Sequence, residues 1–413
     1  MESGAISQPA LEQIARIRPA DLVVGVLSPG GNGWEAASGA VREAIGALAA
    51  SPRTVLVVDD GAGGARVEEE QSLPVLFCQL SEPGGPEAVP QRIYDAYRAM
   101  FDVSAKMGAR ACCVIAPGMQ AVTSRWIDRL VRPVLEMEFD LVTPRYDRRK
   151  LEGLINRAIL SPLSRALYGI RIENPIGPDL GFSGRLIRTM LDYHVAARRG
   201  SPGNPLPSIV PAAVGGKLRI CEAHLGARHQ PPADYPNLSS LLAQILGPVF
   251  LDMEHNAALW QRARRSEAVP AFGGPEVAPE DSGAVDVRRL IDSFQLGAKN
   301  LQDVWSLVLS PTSLLEIRKL ARLPPGQFRM SDDLWVWIVC DFALAHRIRA
   351  INRDHLLRSF TPLYLGWVAS YALEMEGADS AAVDGRLERL ALAYEAGKPR
   401  LVSRWRWPDR FNP

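Results

Sequence analysis

Two neighbouring acids close an apolar run: Val57-Val58-Asp59-Asp60-Gly61. In open α/β sheets ligands gather at the carboxyl ends of strands, so acids placed there either touch a ligand or cap a turn, Asp60 with Gly61. A second candidate is Ser28-Pro29-Gly30-Gly31-Asn32-Gly33, whose glycines can form a backbone nest for a phosphate, with Ser28 and Asn32 as side-chain donors. No Gly-Lys-Ser/Thr follows, which excludes a Walker-type loop. Arg145, Arg148, Arg149, Lys150 and Arg228 supply cations, and arginine pairs bidentately with phosphate. A run such as Arg148-Arg149-Lys150 before Leu151-Glu152 also reads as a solvated helix start. His229, in His224-Leu-Gly-Ala-Arg228-His229, reads on its own as a loop histidine.

These groups need a sheet to hold them. Asp21 to Ser28, Thr54 to Val58, Leu73 to Cys78 and Ala111 to Ala116 are apolar runs bounded by loop signals, with helical spacing between them, as in Ile93, Tyr94, Tyr97, Met100 and Phe101. Thr123-Ser124-Arg125-Trp126 reads as a capped helix start after the strand at Cys112. The alternation implies a mostly parallel sheet with helices on both faces. Further on, Phe139 to Thr143 and Lys217 to Cys221 read as strands, and Gly153 to Tyr168 as a helix. Asn174 to Gly184 reads as an ordered Gly/Pro-rich loop, and Gly200 to Pro211 as a connector. The Pro, Gly, Glu and Ala tract from Ser266 to Gly283 reads as a linker. Beyond it, Leu290, Ile291, Phe294, Ala298, Leu301, Trp305 and Val308 follow one helical face, with helix starts at Ser310-Pro311, Ser331-Asp332 and Thr361-Pro362.

With 413 residues, 47% hydrophobic and 23% charged, the chain is long enough for two or three domains with proper cores. A formal net charge of +1 offers no general attraction to nucleic acid or an anionic membrane. The five cysteines are odd in number and lack metal-type spacing, so they read as core thiols in a reducing cytoplasm. The first residues carry neither the basic nor the apolar region of a signal peptide, and no apolar run reaches membrane-spanning length. Trp405 and Trp407 read as aromatic packing rather than an interfacial anchor.

Ser161-Pro-Leu-Ser-Arg165-Ala-Leu-Tyr168-Gly169 and Asn174-Pro-Ile-Gly177-Pro178-Asp179-Leu-Gly181-Phe-Ser-Gly184 resemble a helix and acceptor-loop pair of GT-A glycosyltransferases, close to the glucosylglycerate and mannosylglycerate synthase group. The resemblance runs from about Asp21 into the C-terminal helices, through Leu296 to Trp305 and Ser403 to Pro413. It implies a GT-A-like nucleotide-sugar domain over 1–265, a linker over 266–283 and an all-helical domain over 284–413. It further implies hexosyl transfer from a nucleotide-diphosphate sugar to a small hydroxylated acceptor such as glycerate. Asp59 or Asp60 with Gly61 would meet the nucleotide, Ser28 and Asn32 would wrap it, and Asp179 would orient the acceptor hydroxyl, act as a base or serve the loop structurally. The family's Asp-x-Asp, which binds Mg²⁺ or Mn²⁺, is replaced by Ala116 and Gly118, leaving His229 as the one matching metal ligand. The family's Gly-Lys-Gly is replaced by Pro83-Gly84-Gly85-Pro86, and the acid beside a later helix start is missing at Ile209 to Ala213. Charge developing on the leaving diphosphate must be neutralised, so Arg145 and Arg228 are the candidates to compensate. The same losses suit a silent pseudo-glycosyltransferase that serves as a scaffold, as a homo-oligomer or beside a paralogous partner.

Overall fold

The computed structural model describes residues 6–17, 19–27, 34–49, 51–59, 64–80, 89–116, 122–197, 205–227, 237–275 and 285–408. Among these residues eleven strands appear in order: β1 Leu22–Val26, β2 Thr54–Asp59, β3 Ala65–Glu70, β4 Leu73–Cys78, β5 Ala111–Ile115, β6 Leu141–Asp147, β7 Ile170–Arg171, β8 Leu180–Ser183, β9 Ile220–Ala227, β10 Glu267–Ala268 and β11 Ala271–Phe272. The chain forms two compact units, each discontinuous in sequence. The first comprises 1–147, 174–228 and 269–277; the second comprises 148–173, 229–268 and 278–413.

The first unit carries a nine-stranded sheet in the order β11-β9-β6-β8-β5-β1-β2-β4-β3. β1, β2 and β5 are buried along their whole length, which is what parallel strands covered on both faces require. β1 lies between β2 and β5, parallel to both, with Leu22 beside Thr54 on one side and Ala111 on the other. β8 is antiparallel to both β5 and β6, and β3 is antiparallel to β4, so the sheet is mostly parallel, as expected. One face packs on the helices Trp34–Gly46 and Ser124–Met137 through residues such as Ala37, Val41, Ile127 and Leu130. The second of these starts as expected, with the Thr123 hydroxyl accepting from the Trp126 amide. On the other face, Tyr97 and Phe101 of the helix Val89–Lys106 meet Phe182 edge-on at 6.1 and 5.2 Å between ring centroids.

Four local readings change. β3 went unread because its Ala-Arg-Val-Glu-Glu-Glu pattern is largely exposed, and the charge that hides it from a hydrophobicity scan also protects a sheet edge. It joins β4 through Gln71 and Ser72, both in left-handed backbone at φ 47° and 68°, the geometry that tight hairpins favour. The loop expected over 174–184 contains the buried strand β8, and the connector expected over 200–211 runs into the helix Leu206–Gly215. The tract 266–283 likewise does not run as a free linker where it is described. β10 pairs with β7 within the second unit and β11 pairs with β9 within the first, each pairing giving backbone groups of this Pro/Gly-rich stretch their hydrogen bonds.

The second unit is helical from Val287 to Arg406, with Ser310 and Ser331 capping helices as expected and Pro362 entering the first turn of another. Earlier in this unit the helix expected over 153–168 contains a π-helical turn, Asn156–Leu160, before Ser161–Tyr168. Pro162 has no N–H to return to the carbonyl of Ala158, four residues back. That carbonyl instead accepts from the Trp335 indole at 3.1 Å and the Tyr394 hydroxyl at 3.0 Å. Trp335→Phe and Tyr394→Phe should each lower the stability of this unit by about 1 kcal/mol in denaturant titrations, and the pair together by more than the sum, because only the double variant strips both donors from the carbonyl.

Arg165 of the resembled helix is buried and donates to both Glu388 and Glu395 of the helix Ser380–Arg406, at 2.7 and 3.1 Å. Lys398 on the same helix donates to the carbonyls of Leu167 and Ala263 at 3.0 and 2.5 Å. Burial pushes its ammonium down to about 8, against the opposing pull of Glu395. The unfolded chain therefore holds a proton that the folded chain releases between about pH 8 and the ordinary lysine value of 10.5, so this residue's contribution to stability rises with pH across that window. Lys398→Met should remove that rise, read as the difference in unfolding midpoint between the two proteins from pH 7 to 10.

Candidate functional site

From β1 the chain passes to β2 on one side, and from β4 it returns across to β5 on the other side of β1. The order of parallel strands thus reverses between β1 and β5. In open α/β sheets such a switch point leaves a crevice at the strands' carboxyl ends. The Leu27 amide bonds the Ile115 carbonyl at 2.9 Å, holding these two ends together. Ser28 and Asn32 follow β1 and Gly118 follows β5; all three lie outside the described residues, as do Asp60, Gly61, Arg228 and His229.

Asp59 is the last residue of β2, one strand away from the switch point. Its carboxylate is buried and accepts from the Leu80 amide at 3.1 Å. Arg145 stands on β6 with its side chain 37% exposed and its Nη1 3.9 Å from Oε2 of the buried Glu222 on neighbouring β9. The guanidinium is thus held by a nearby carboxylate yet still open to solvent. The run Arg148-Arg149-Lys150, which also read as a solvated helix start, belongs to the second unit. There the Arg149 amide donates to Glu152 at 3.1 Å, and the carbonyls of Arg149 and Lys150 accept from Arg157 at 3.2 and 3.3 Å.

Asp179 precedes β8 and is fully buried. One carboxylate oxygen accepts from the Ala116 amide at 3.0 Å and the other from the Tyr146 hydroxyl. The structure therefore joins Asp179 to the end of β5, at Ala116. Both carboxylate oxygens are thus engaged by donors of the protein itself, which is the structural alternative among the roles expected for this residue. Tyr97 donates to the Pro178 carbonyl at 2.7 Å, and Asn174 donates to the Pro144 carbonyl at 2.9 Å. Burial, with Asp179 nearby, pushes the Tyr97 hydroxyl well above the usual tyrosine range, so it stays a donor. Tyr146 escaped the sequence reading, which ended this strand at Thr143; its one signal was its place beside Arg145 near the end of β6.

The motif glycines are packing positions. A Cβ at Gly181 would lie 2.2 Å from the Leu130 carbonyl oxygen, and one at Gly184 would lie 2.6 Å from that of Ala109. Cys78, Cys112, Cys113 and Cys221 are buried, and burial raises the Cys112 and Cys221 thiols to about 12, leaving them unreactive.

A divalent cation would need several oxygen ligands at the end of β5. Ala116 has none in its side chain, and the buried carboxylates of Asp59 and Asp179 are committed to amide or hydroxyl donors. Among the described residues, no group of three or more His, Cys, Asp or Glu is placed to hold a metal, so these residues do not fit such an ion. Among them, too, no helix is long and apolar enough to cross a membrane.

No protein-family model and no curated protein matches the chain. Among solved structures it is similar to glucosyl-3-phosphoglycerate synthase from Mycobacterium tuberculosis in complex with Mn²⁺, UDP-glucose and phosphoglyceric acid, at 14% identity over 59% of this chain and 82% of that one, with a TM-score of 0.36. A second structure of the same enzyme gives 15% identity over 59% and 82%, with a TM-score of 0.36. Mannosyl-3-phosphoglycerate synthase from Rubrobacter xylanophilus gives 14% over 61% and 80%, with a TM-score of 0.35.

Proposed function

We propose that this chain is a glycosyltransferase-like protein that binds a nucleotide-diphosphate sugar at the β1–β5 crevice and passes its hexosyl group to a small hydroxylated acceptor such as glycerate, with weakened or metal-independent activity. The observation that carries this reading is the switch point itself: β1 and β5 end side by side, and β2 brings Asp59 to the adjoining strand end. The helix and loop motifs at Ser161 to Gly169 and Asn174 to Gly184 support the choice of ligand class. Asp59, Asp60 and Gly61 are proposed for the nucleotide, Ser28 and Asn32 for its phosphates, and Arg145 and Arg228 for the charge of the leaving diphosphate. His229 is proposed as the one side chain of the resembled metal shell that persists. Incubation with UDP-glucose or GDP-mannose and glycerate, with and without Mn²⁺, should yield hexosyl-glycerate detectable by mass spectrometry, at a rate that Arg145→Gln lowers at least tenfold. Absence of product with either donor would overturn the transfer reading.

A second reading, a catalytically silent binding or scaffold subunit whose helical region is the interface, is favoured by one observation. Leu296, Leu307 and Leu315 are 59, 44 and 52% exposed on the successive helices Val287–Asn300, Gln302–Val308 and Pro311–Leu320. Sedimentation of the purified protein separates the two: self-association lost in Leu296→Ser and Leu315→Ser, together with absence of product, favours the scaffold.

A further inference from the structure

Ala116 stands one residue past the pairings of β5 with β1, which end at Ile115, and two past those with β8, which end at Val114. It is followed by Pro117, which has no N–H, so the Ala116 amide is the last backbone donor before the loop that leaves β5. The residue is buried, where an amide needs an acceptor. That acceptor is the carboxylate of Asp179, the residue just before the neighbouring strand β8.

We infer that Asp179 is a positioning residue, a strut that fixes the peptide at the end of β5, with Tyr146 as the group that holds it in place; this rests on the reading of the β1–β5 crevice as a nucleotide-sugar site. The geometry is braced from several directions. Tyr146 donates to one carboxylate oxygen while Ala116 occupies the other, so the group can neither rotate nor withdraw without losing a charge-assisted bond. Tyr97 fixes the preceding carbonyl, of Pro178, at 2.7 Å, and the Pro178 ring restrains the backbone that leads into Asp179. Asn174 fastens the start of the same segment to the Pro144 carbonyl on β6 at 2.9 Å. Where the resembled family places a side-chain acid on β5 itself, this chain brings a carboxylate from the residue before β8 to the end of β5. The carboxylate is thereby turned from ligand holding to loop holding.

The test uses the full chain labelled with ¹⁵N-alanine. Amide exchange at Ala116 is compared with that at Ala111, the first residue of the same strand, whose amide bonds the carbonyl of Asp21 just before β1. Asp179→Ala should speed exchange at Ala116 by roughly tenfold to a hundredfold and leave Ala111 unchanged. Asp179→Asn, which keeps an oxygen for the amide, should restore most of the protection, and Tyr146→Phe should fall between the two. Should Asp179→Ala fail to fold, the Asn and Phe variants carry the comparison. UDP-glucose affinity should weaken in Tyr146→Phe in step with exchange at Ala116. Unchanged exchange at Ala116, exchange rising equally at both alanines, or faster exchange with unaltered donor affinity would each overturn the positioning role. A wild-type chain that binds no sugar nucleotide would refute the nucleotide reading alone, since the exchange pattern reports the strut without any donor.

Discussion

Arg165→Met should lower the stability of the second unit by about 3 kcal/mol, the low end of the range for breaking a buried ion pair. The Arg165 side chain is only 5% exposed and serves two carboxylates, so its loss leaves Glu388 and Glu395 with only the weaker pull of Arg171 against their mutual repulsion. Both carboxyls lie below their ordinary range: for Glu388 the bond from Arg165 is the leading cause, and for Glu395 burial, the largest single effect, is outweighed by the bonds from Arg165 and Ser266 together with the charges of Arg165 and Arg171. Glu388 is half-exposed and water would screen it once the arginine is gone, which keeps the expected loss at the lower end. Urea unfolding followed by tryptophan fluorescence is suited to the measurement. Trp34 and Trp126 belong to the first unit, and the other seven tryptophans belong to the second. A loss below about 1 kcal/mol would mean that the helix Ser161–Tyr168 is held to Ser380–Arg406 by packing rather than by this triad.

In the first unit, Gly181→Ala should be the most damaging small substitution, costing about 3 kcal/mol. The added carbon would sit 2.2 Å from the backbone oxygen of Leu130, and neither the strand nor the helix Ser124–Met137 can yield as a flexible side chain would. Gly39 in the helix Trp34–Gly46 is the matched control. A Cβ there meets nothing within 4 Å, so Gly39→Ala should raise stability by about 0.5–1 kcal/mol. Far-UV circular dichroism during denaturant titration reads both. Equal effects of the two substitutions would contradict the packing of β8 beneath that helix.

Much of this architecture is legible in the sequence, for a physical reason that also explains the failures. β1, β2, β4 and β5 are central strands, so their apolar runs stand out between Pro/Gly loops. β3 is an edge strand whose exposed acids remove that signal. β8 is four residues of Leu-Gly-Phe-Ser inside a Gly/Pro-rich stretch, and the glycine that looks like loop is there because a helix backbone presses on it. The helix Leu206–Gly215 hides behind its two prolines. Within the site, Asp59 could be found from its place after an apolar run, since strand ends gather ligands. Asp179 could be found as a residue but not as a strut, because that role depends on Ala116 and Tyr146, which are 63 and 33 residues away in sequence. Division into units was likewise beyond the sequence, since each unit collects segments from three separate stretches of chain.

The central claim is that a sugar nucleotide binds where β1 and β5 end, beside Asp59, although the acids that resembled enzymes carry on β5 are missing. Calorimetric titration of the full chain with UDP-glucose and GDP-mannose, in the presence and absence of Mn²⁺, tests it most directly. We predict saturable binding of one donor that persists without Mn²⁺ and is lost in Asp59→Ala, whereas absence of heat with both donors under either condition would contradict the claim.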